Sequence, residues 1–257
     1  MTDNGGRYGS SSGILIIYPA SMKIYITGTS KGLGKALAEL YLEAGHHVVG
    51  IGRRNVIEHP KYEFEECDLS NADAVKGIRF SSTGDGCVLI NNAGIIGTIK
   101  RVSDQEAHSL EEVITVNTIA PMILCQQFLK DIAPTEYTAI VNISSGASSR
   151  SIPGWASYCA SKAALDRFSD TLLLEEQEKG RNVIVYSLAP GVIDTAMQET
   201  IRSSEQDDFS SLRTFRDLKE NAELQPPLDV AKKVMYLLSL PFDGRVIRSL
   251  RELTIDN

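Results

Sequence analysis

The 257-residue chain is poor in the groups from which metal centres and disulfide frameworks are built. Its four cysteines, Cys67, Cys87, Cys125 and Cys159, are scattered with no C-x-x-C pair, and its four histidines form no H-x-x-x-H pattern. Isolated thiols in a chain of this length point to a reducing, cytoplasmic setting rather than to disulfides, and no metal site is expected. Cationic excess is lacking too: 26 Lys and Arg face 33 Asp and Glu, and a net charge of -7 disfavours a broad nucleic-acid surface. Long apolar runs are missing, so no membrane span is expected; ILIIYPA at 14–20 is too short to cross a bilayer and short even for a signal-peptide core. The polar, glycine-rich MTDNGGRYGSSSG before it reads as a disordered tail. Residues 1–22 are therefore expected to be an extension and 23–257 the folded unit, with Met22 a candidate natural start.

What is present is an alternation of short apolar runs with helical stretches. KIYIT at 23–27 runs into Gly28-Thr29-Ser30-Lys31-Gly32-Leu33-Gly34, and KALAELYLEAG then has helical spacing. Glycines permit a tight turn, and the N–H groups and dipole at a helix start favour a pyrophosphate; a plain turn is the ordinary alternative. HHVVGIG, YEFEECDLS, CVLINNAG, the run at 140–143 and NVIVYSLA give further strands, and GRVI at 244–247 a last one. Such alternation predicts a single-domain α/β fold, a Rossmann-like doubly wound parallel sheet of about seven strands with helices on both faces. Ser103 to Glu106 has the spacing of a capping box. Met197 to Pro227 is a long charge-rich stretch, and a lid is expected at about 195–227.

The chemistry concentrates between Ile140 and Lys162. Tyr158 and Lys162 share one helical face. A free phenol, with a pKa of about 10, is a weak proton donor or acceptor at neutral pH. A cation at about 4 Å, with an effective dielectric near 20, would favour the phenolate by on the order of 4 kcal/mol, about three pKa units. Tyr158 would then exchange protons near neutrality, and Ser145, at a strand end, would hold a carbonyl oxygen. A Tyr and a Lys four apart are also common without any catalytic meaning.

These residues, Ser145 with Tyr158-x-x-x-Lys162, together with the T-G-x-x-x-G-x-G of residues 27–34 and the Asn-Asn-Ala-Gly of 91–94, resemble the short-chain dehydrogenase/reductase family. The tail and the segment PGVIDTAMQETIRSS look most like its benzil reductase and sepiapterin reductase branch, although the usual closing Gly-Gly is absent. The resemblance implies a catalytic set of Asn117, Ser145, Tyr158 and Lys162, with Lys162 also on the nicotinamide ribose and Asn117 linking it through water to solvent. It implies cofactor contacts from Gly28, Ser30, Lys31, Gly32, Leu33, Gly34, Asp68, Leu69, Asn92, Ala93, Gly94, Pro190, Gly191, Val192 and Thr195. Asp68 would otherwise cap a helix, the asparagines of 91–92 would otherwise serve the sheet, and Asn117 would otherwise be an ordinary buried amide. The second strand ends at Arg53-Arg54, where NAD-preferring relatives carry an acid; a guanidinium there suits a 2'-phosphate, so NADP(H) is expected, against the plainer reading of a solvated pair. The implied activity is reduction of a ketone, aldehyde or dicarbonyl, or its reverse, on a small-molecule substrate in a homodimer or homotetramer. A silent NADP sensor or scaffold and a sugar-nucleotide epimerase or dehydratase are the alternatives.

Overall fold

The computed structural model describes residues 19–82, 86–132 and 137–255. The tail expected at 1–22 therefore lies outside the described residues up to position 18, whereas Met22 is fully buried in the first strand. Pro19 is buried as well, its Cγ 3.1 Å from the place a Cβ on Gly86 would take.

Seven strands form one parallel sheet: β1 (Met22–Thr27), β2 (His47–Gly52), β3 (Tyr62–Glu66), β4 (Gly86–Asn91), β5 (Tyr137–Ile143), β6 (Ile184–Ala189) and β7 (Ile247–Ser249), in the order β3-β2-β1-β4-β5-β6-β7. Alternation along each strand divides the core. Ile24 and Ile26 of β1 and Val88 and Ile90 of β4 point to one face, where they meet Leu37 and Tyr41 of α1 (Gly32–Glu43) and Val234 of α8 (Pro227–Ser239). Tyr25, Cys87 and Leu89 point to the other face. There they meet Val75 of α2 (Ala72–Gly77), Phe128 of α4 (Ala120–Asp131) and Leu172 of α5 (Ala156–Glu178). Strands buried on both faces read as continuous apolar runs, which is why β1, β4 and β5 stand out in the sequence.

The order reverses between β1 and β4, and that reversal opens a crevice at their carboxyl ends. Asn92 ties the crevice together. Its main-chain N–H donates to Thr27 Oγ1 at 2.9 Å, as does that of Ala93, and its Nδ2 donates to Thr27 O at 2.9 Å. Asn91 serves the sheet: its Nδ2 donates to Asn142 Oδ1 at 2.8 Å, and Asn142 passes the chain of bonds to Ser169 at 2.8 Å.

Two local expectations are corrected. The capping box does not form: Ser103 donates sideways to Asp104, residues Val102–Asp104 make one 3-10 turn, and α3 (Ala107–Ile114) starts only after Glu106. The last strand begins at Ile247 rather than 244, because Gly244 takes φ +82° in a turn where Asp243 Oδ1 accepts from Arg245 N at 3.1 Å. The expected lid contains α6 (Ala196–Arg202) and α7 (Leu212–Glu220), and Ile201, Phe209 and Leu212 are buried in a third cluster with Trp155 and Tyr158.

Candidate active site

The glycine loop runs from the end of β1 into α1. Gly28 and Gly32 hold φ of +77° and +58°, a region that L side chains avoid. Gly34 answers to crowding instead: a Cβ there would stand 2.2 Å from Gly28 O and 2.4 Å from Asn92 Nδ2. The helix start carries no acidic residue in its first turn and no side-chain cap, so no side chain takes up its first N–H groups. That groove, about 460 Å³, is lined by Gly28, Ser30, Lys31, Gly32, Leu33, Arg53, Asp68, Leu69, Asn92, Ala93, Gly94 and Thr195. Gly34 does not line it, being spent on the contact with Gly28. Asp68 does not cap α2, a place held by Asn71, whose side chain accepts from Asp73 N and Ala74 N. Hydrogen bonds from the Ser70 main chain and hydroxyl hold the Asp68 carboxyl below its usual range, with the Arg53 charge adding to the effect.

A second cavity of about 1000 Å³ holds Ser145, Tyr158, Lys162, Pro190, Gly191 and Val192. It shares Leu33, Asn92, Gly94, Ile96, Thr195 and Met197 with the groove, so the two spaces adjoin. β5 delivers Ser145, and the first turns of α5 deliver Tyr158 and Lys162. Burial raises the Tyr158 phenol above its usual value, and a hydrogen bond from Ser145 opposes the rise. The sequence argument expected the reverse, a phenol made acidic by the neighbouring ammonium. Two facts explain the difference. Lys162 Nζ stands 5.9 Å from the Tyr158 ring centroid and donates to Ile143 O at 2.8 Å, and burial brings its own pKa down to about 8. Desolvation outweighs the Ser145 hydrogen bond at Tyr158 and the Asp166 charge at Lys162.

Asn117 sits in a π-helical turn, Thr115–Ile119, joining α3 to α4. Its carbonyl cannot find the ordinary helical donor, because Pro121 has no N–H. Its side chain is fully engaged: Oδ1 accepts from Ile95 N at 2.9 Å, and Nδ2 donates to Ile95 O at 2.8 Å and Ser161 Oγ at 3.1 Å. Gly94 lies between, with the position of an added Cβ 3.2 Å from Asn117 Oδ1 and 3.5 Å from Lys162 Nζ. The structure thus brings Asn117, Lys162 and the end of β4 together.

At the other rim, Gly191 has φ +88°, and Gln225 Nε2 would stand 2.5 Å from a Cβ there. Thr195 packs its methyl 3.2 Å from the same kind of position on Gly32, so the turn after β6 touches the glycine loop. Trp155 is stacked on Phe209 with centroids 5.1 Å apart and meets the Tyr158 ring edge-on at 5.7 Å. With Ile152, Met197 and Phe215 it forms the apolar wall of the cavity.

Sequence reasoning missed several residues here. Tyr62 Oη lies 2.7 Å from Thr29 Oγ1 and would be 2.0 Å from a Cβ on Gly50, so that β2 glycine makes room for a brace on the glycine loop. A glycine inside a strand was the available signal. Arg150 and Arg251 also line the larger cavity, and nothing in their local sequence marked them.

The family described as short chain dehydrogenase matches residues 22–206. The benzil reductase ((S)-benzoin forming) of Bacillus subtilis (strain 168) is 36% identical over 245 residues, covering 90% of this chain and 99% of its own. A second benzil reductase, from Bacillus cereus, is 36% identical and covers 88% and 98%. Among solved structures, the KRED1-Pglu enzyme superposes with a TM-score of 0.75 at 25% identity over 87% of this chain and 99% of the other. A short-chain dehydrogenase/reductase from Saccharomyces cerevisiae reaches a TM-score of 0.77 at 24% identity, over 90% and 96%; at that identity the likeness concerns the fold.

Proposed function

The chain belongs to the short-chain dehydrogenase family of oxidoreductases, and from that membership we propose that it is an NADP(H)-dependent carbonyl reductase with Tyr158 as proton donor. The observation that carries this reading is that the two cavities adjoin and share walls, with the glycine loop at one end and Ser145, Tyr158 and Lys162 at the other. The groove has the features a dinucleotide requires: an uncapped helix start, glycines that let main chain approach, and no room for a side chain at Gly34. Gly28, Ser30, Lys31, Gly32 and Leu33 would hold the phosphates, with Arg53 and Lys31 on the 2'-phosphate. Asp68 and Leu69 would flank the adenine. Asn92, Ala93, Gly94, Pro190, Gly191, Val192 and Thr195 would line the nicotinamide side, with Lys162 on its ribose. When bound, reduced nicotinamide supplies the hydride.

The chain's own residues handle the proton. A phenol whose pKa is raised by burial stays protonated at neutral pH, the form that donates to a carbonyl oxygen during reduction. Ser145, hydrogen-bonded to the same hydroxyl, would hold that oxygen in place. Lys162, with its pKa near 8, keeps a positive charge at neutral pH that steadies the phenolate left behind. Asn117 would supply the return path for protons through its main-chain carbonyl. The 36% identity to benzil reductases supports a vicinal dicarbonyl or aromatic ketone, and the Trp155 wall is suited to an aryl group.

We further infer that the segment at 195–227 acts as a lid, and that copies pair through the π-turn with α4 and through α5, where Ile119 and Leu174 are exposed at 39% and 59%. A reducing, cytoplasmic setting suits thiols that are all free, two of them, Cys87 and Cys125, pushed up to about 12 by burial. The deciding experiment follows the loss of NADPH absorbance with a panel of ketones, diketones and pterin carbonyls, repeated with NADH. Turnover with NADPH supports the reading. NADPH binding without turnover of any carbonyl would replace it with a sensor or scaffold, and preference for NADH would remove the assignment of Arg53.

A further inference from the structure

Two arginines about a hundred residues apart in sequence reach the cavity that holds Tyr158. Arg150 lies on the loop between β5 and α5, where its Nε donates to Gly146 O at 3.0 Å and its terminal nitrogen comes within 3.0 Å of the place a Cβ on Gly146 would occupy. Gly146 directly follows Ser145. Arg251 arrives after β7, its Nε 3.1 Å and its Cγ 3.4 Å from the corresponding place on Gly191. Each guanidinium therefore lies across a glycine that adjoins the reacting centre, and a larger residue at either position would displace it.

The charge around them is not balanced locally. Arg167 and Arg248, which line the same cavity, are paired with Asp170 and Asp243. Arg150 and Arg251 have no carboxylate within ion-pairing distance among the described residues. Of the acids on the cavity wall, Asp166 is buried and accepts from Ser187 Oγ at 2.6 Å, which leaves exposed Glu252 as the other. A cationic rim in a chain of net charge -7 favours an anion, and a planar guanidinium matches a carboxylate through paired hydrogen bonds.

Resting on the carbonyl-reductase reading, we propose that the substrate is an aromatic ketone bearing a carboxylate, such as an aryl 2-oxo acid, whose anionic end is held by Arg150 and Arg251. The aryl group lies on the Trp155 and Phe215 wall. The carbonyl carbon takes the hydride of reduced nicotinamide and the oxygen takes the Tyr158 proton, giving a hydroxy acid; the carboxylate is unchanged.

The test compares benzoylformate with its methyl ester as substrates of the full chain with NADPH. At low ionic strength the acid is expected to have the higher kcat/KM, and added salt should erode that advantage while leaving the ester unaffected, a readout that needs no variant. Arg150→Gln and Arg251→Gln should each lower the acid-to-ester ratio of kcat/KM by about tenfold or more, the usual loss for a hydrogen bond to a charged group. Turnover of the ester with no preference for the acid, or a ratio unmoved in both variants, would overturn the proposal and leave the reductase reading standing. If NADPH binds but neither compound is reduced, this proposal falls, and the reductase reading falls with it only when the wider carbonyl panel is also not turned over.

Discussion

Replacing Lys162 with methionine separates the energetic cost of the candidate site from its chemistry. The ammonium is fully enclosed, and burial lowers its pKa from the ordinary 10.5 to about 8, against a smaller opposing effect of Asp166. In the unfolded chain the side chain regains its ordinary value. Between these two values the unfolded state holds a proton that the folded state has released, so the stability of the wild type rises with pH across that window. The difference of 10.5 - 8 = 2.5 units, at about 1.36 kcal/mol per unit, amounts to about 3 kcal/mol. The methionine variant lacks this dependence while keeping the side-chain volume. Urea unfolding of both proteins without cofactor, at a series of pH values from 7 upward, should show the wild type gaining on the variant by up to about 3 kcal/mol as pH climbs through the window. Loss of the Lys162 bond to Ile143 O shifts the curves by a constant and leaves their relative slope intact. A stability difference that stays flat, or moves toward the variant as pH rises, would refute the claim that the folded chain holds its lysine at a desolvation cost.

Other outcomes follow from the same geometry. Tyr158→Phe should retain cofactor binding by fluorescence titration while losing about two to four orders of magnitude in kcat, the usual contribution of a positioned acid; near-normal turnover would remove Tyr158 from its role. Arg53→Ala should reduce the kinetic preference for NADPH over NADH by about tenfold to a hundredfold, the worth of a charge-assisted hydrogen bond; an unchanged ratio would locate the 2'-phosphate elsewhere. Tyr62→Phe removes the brace on Thr29 and should cost about 1 kcal/mol in urea unfolding together with a raised KM for the cofactor. A variant equal to wild type in both measurements would leave the brace without function.

Strand and helix alternation was legible because the sheet is buried on both faces and its strands are therefore apolar throughout. The sharing of one face by Tyr158 and Lys162 was legible from helical spacing, and both are buried, as are Leu165, Ser169 and Leu172 further along the same helix. That face continues one turn further than composition suggests. Glu176 sits in the charged run EEQEK, which reads as solvated, yet it is 1% exposed, and Lys179 and Arg181 meet its carboxylate at 2.8 and 3.1 Å. The direction of the Tyr158 shift was not legible, because it depends on how deeply α5 is covered and on where Lys162 sends its protons. Spacing reports which side chains are neighbours; it does not report that one neighbour is already committed to a main-chain carbonyl. Arg150 and Arg251 were invisible for a related reason, since only the tertiary fold brings their loops to one cavity.

The segment at 195–227 has both of its feet on the same ground. Ile193 bridges Gln225, with Gln225 N donating to Val192 O at 2.9 Å and Asp194 N to Gln225 O at 3.0 Å, and Lys219 reaches Asp194 at 2.8 Å. As the proposed lid, a flap joined at its base would work as a visor on a single axle: it would rock over the opening rather than swing away as a free arm. Most of the entropy of bringing its ends together is already lost before any ligand arrives. The axle also passes beside Gly191, so on the proposed reading loosening it at Gln225 would disturb both the nicotinamide side of the cleft and the cover over the substrate.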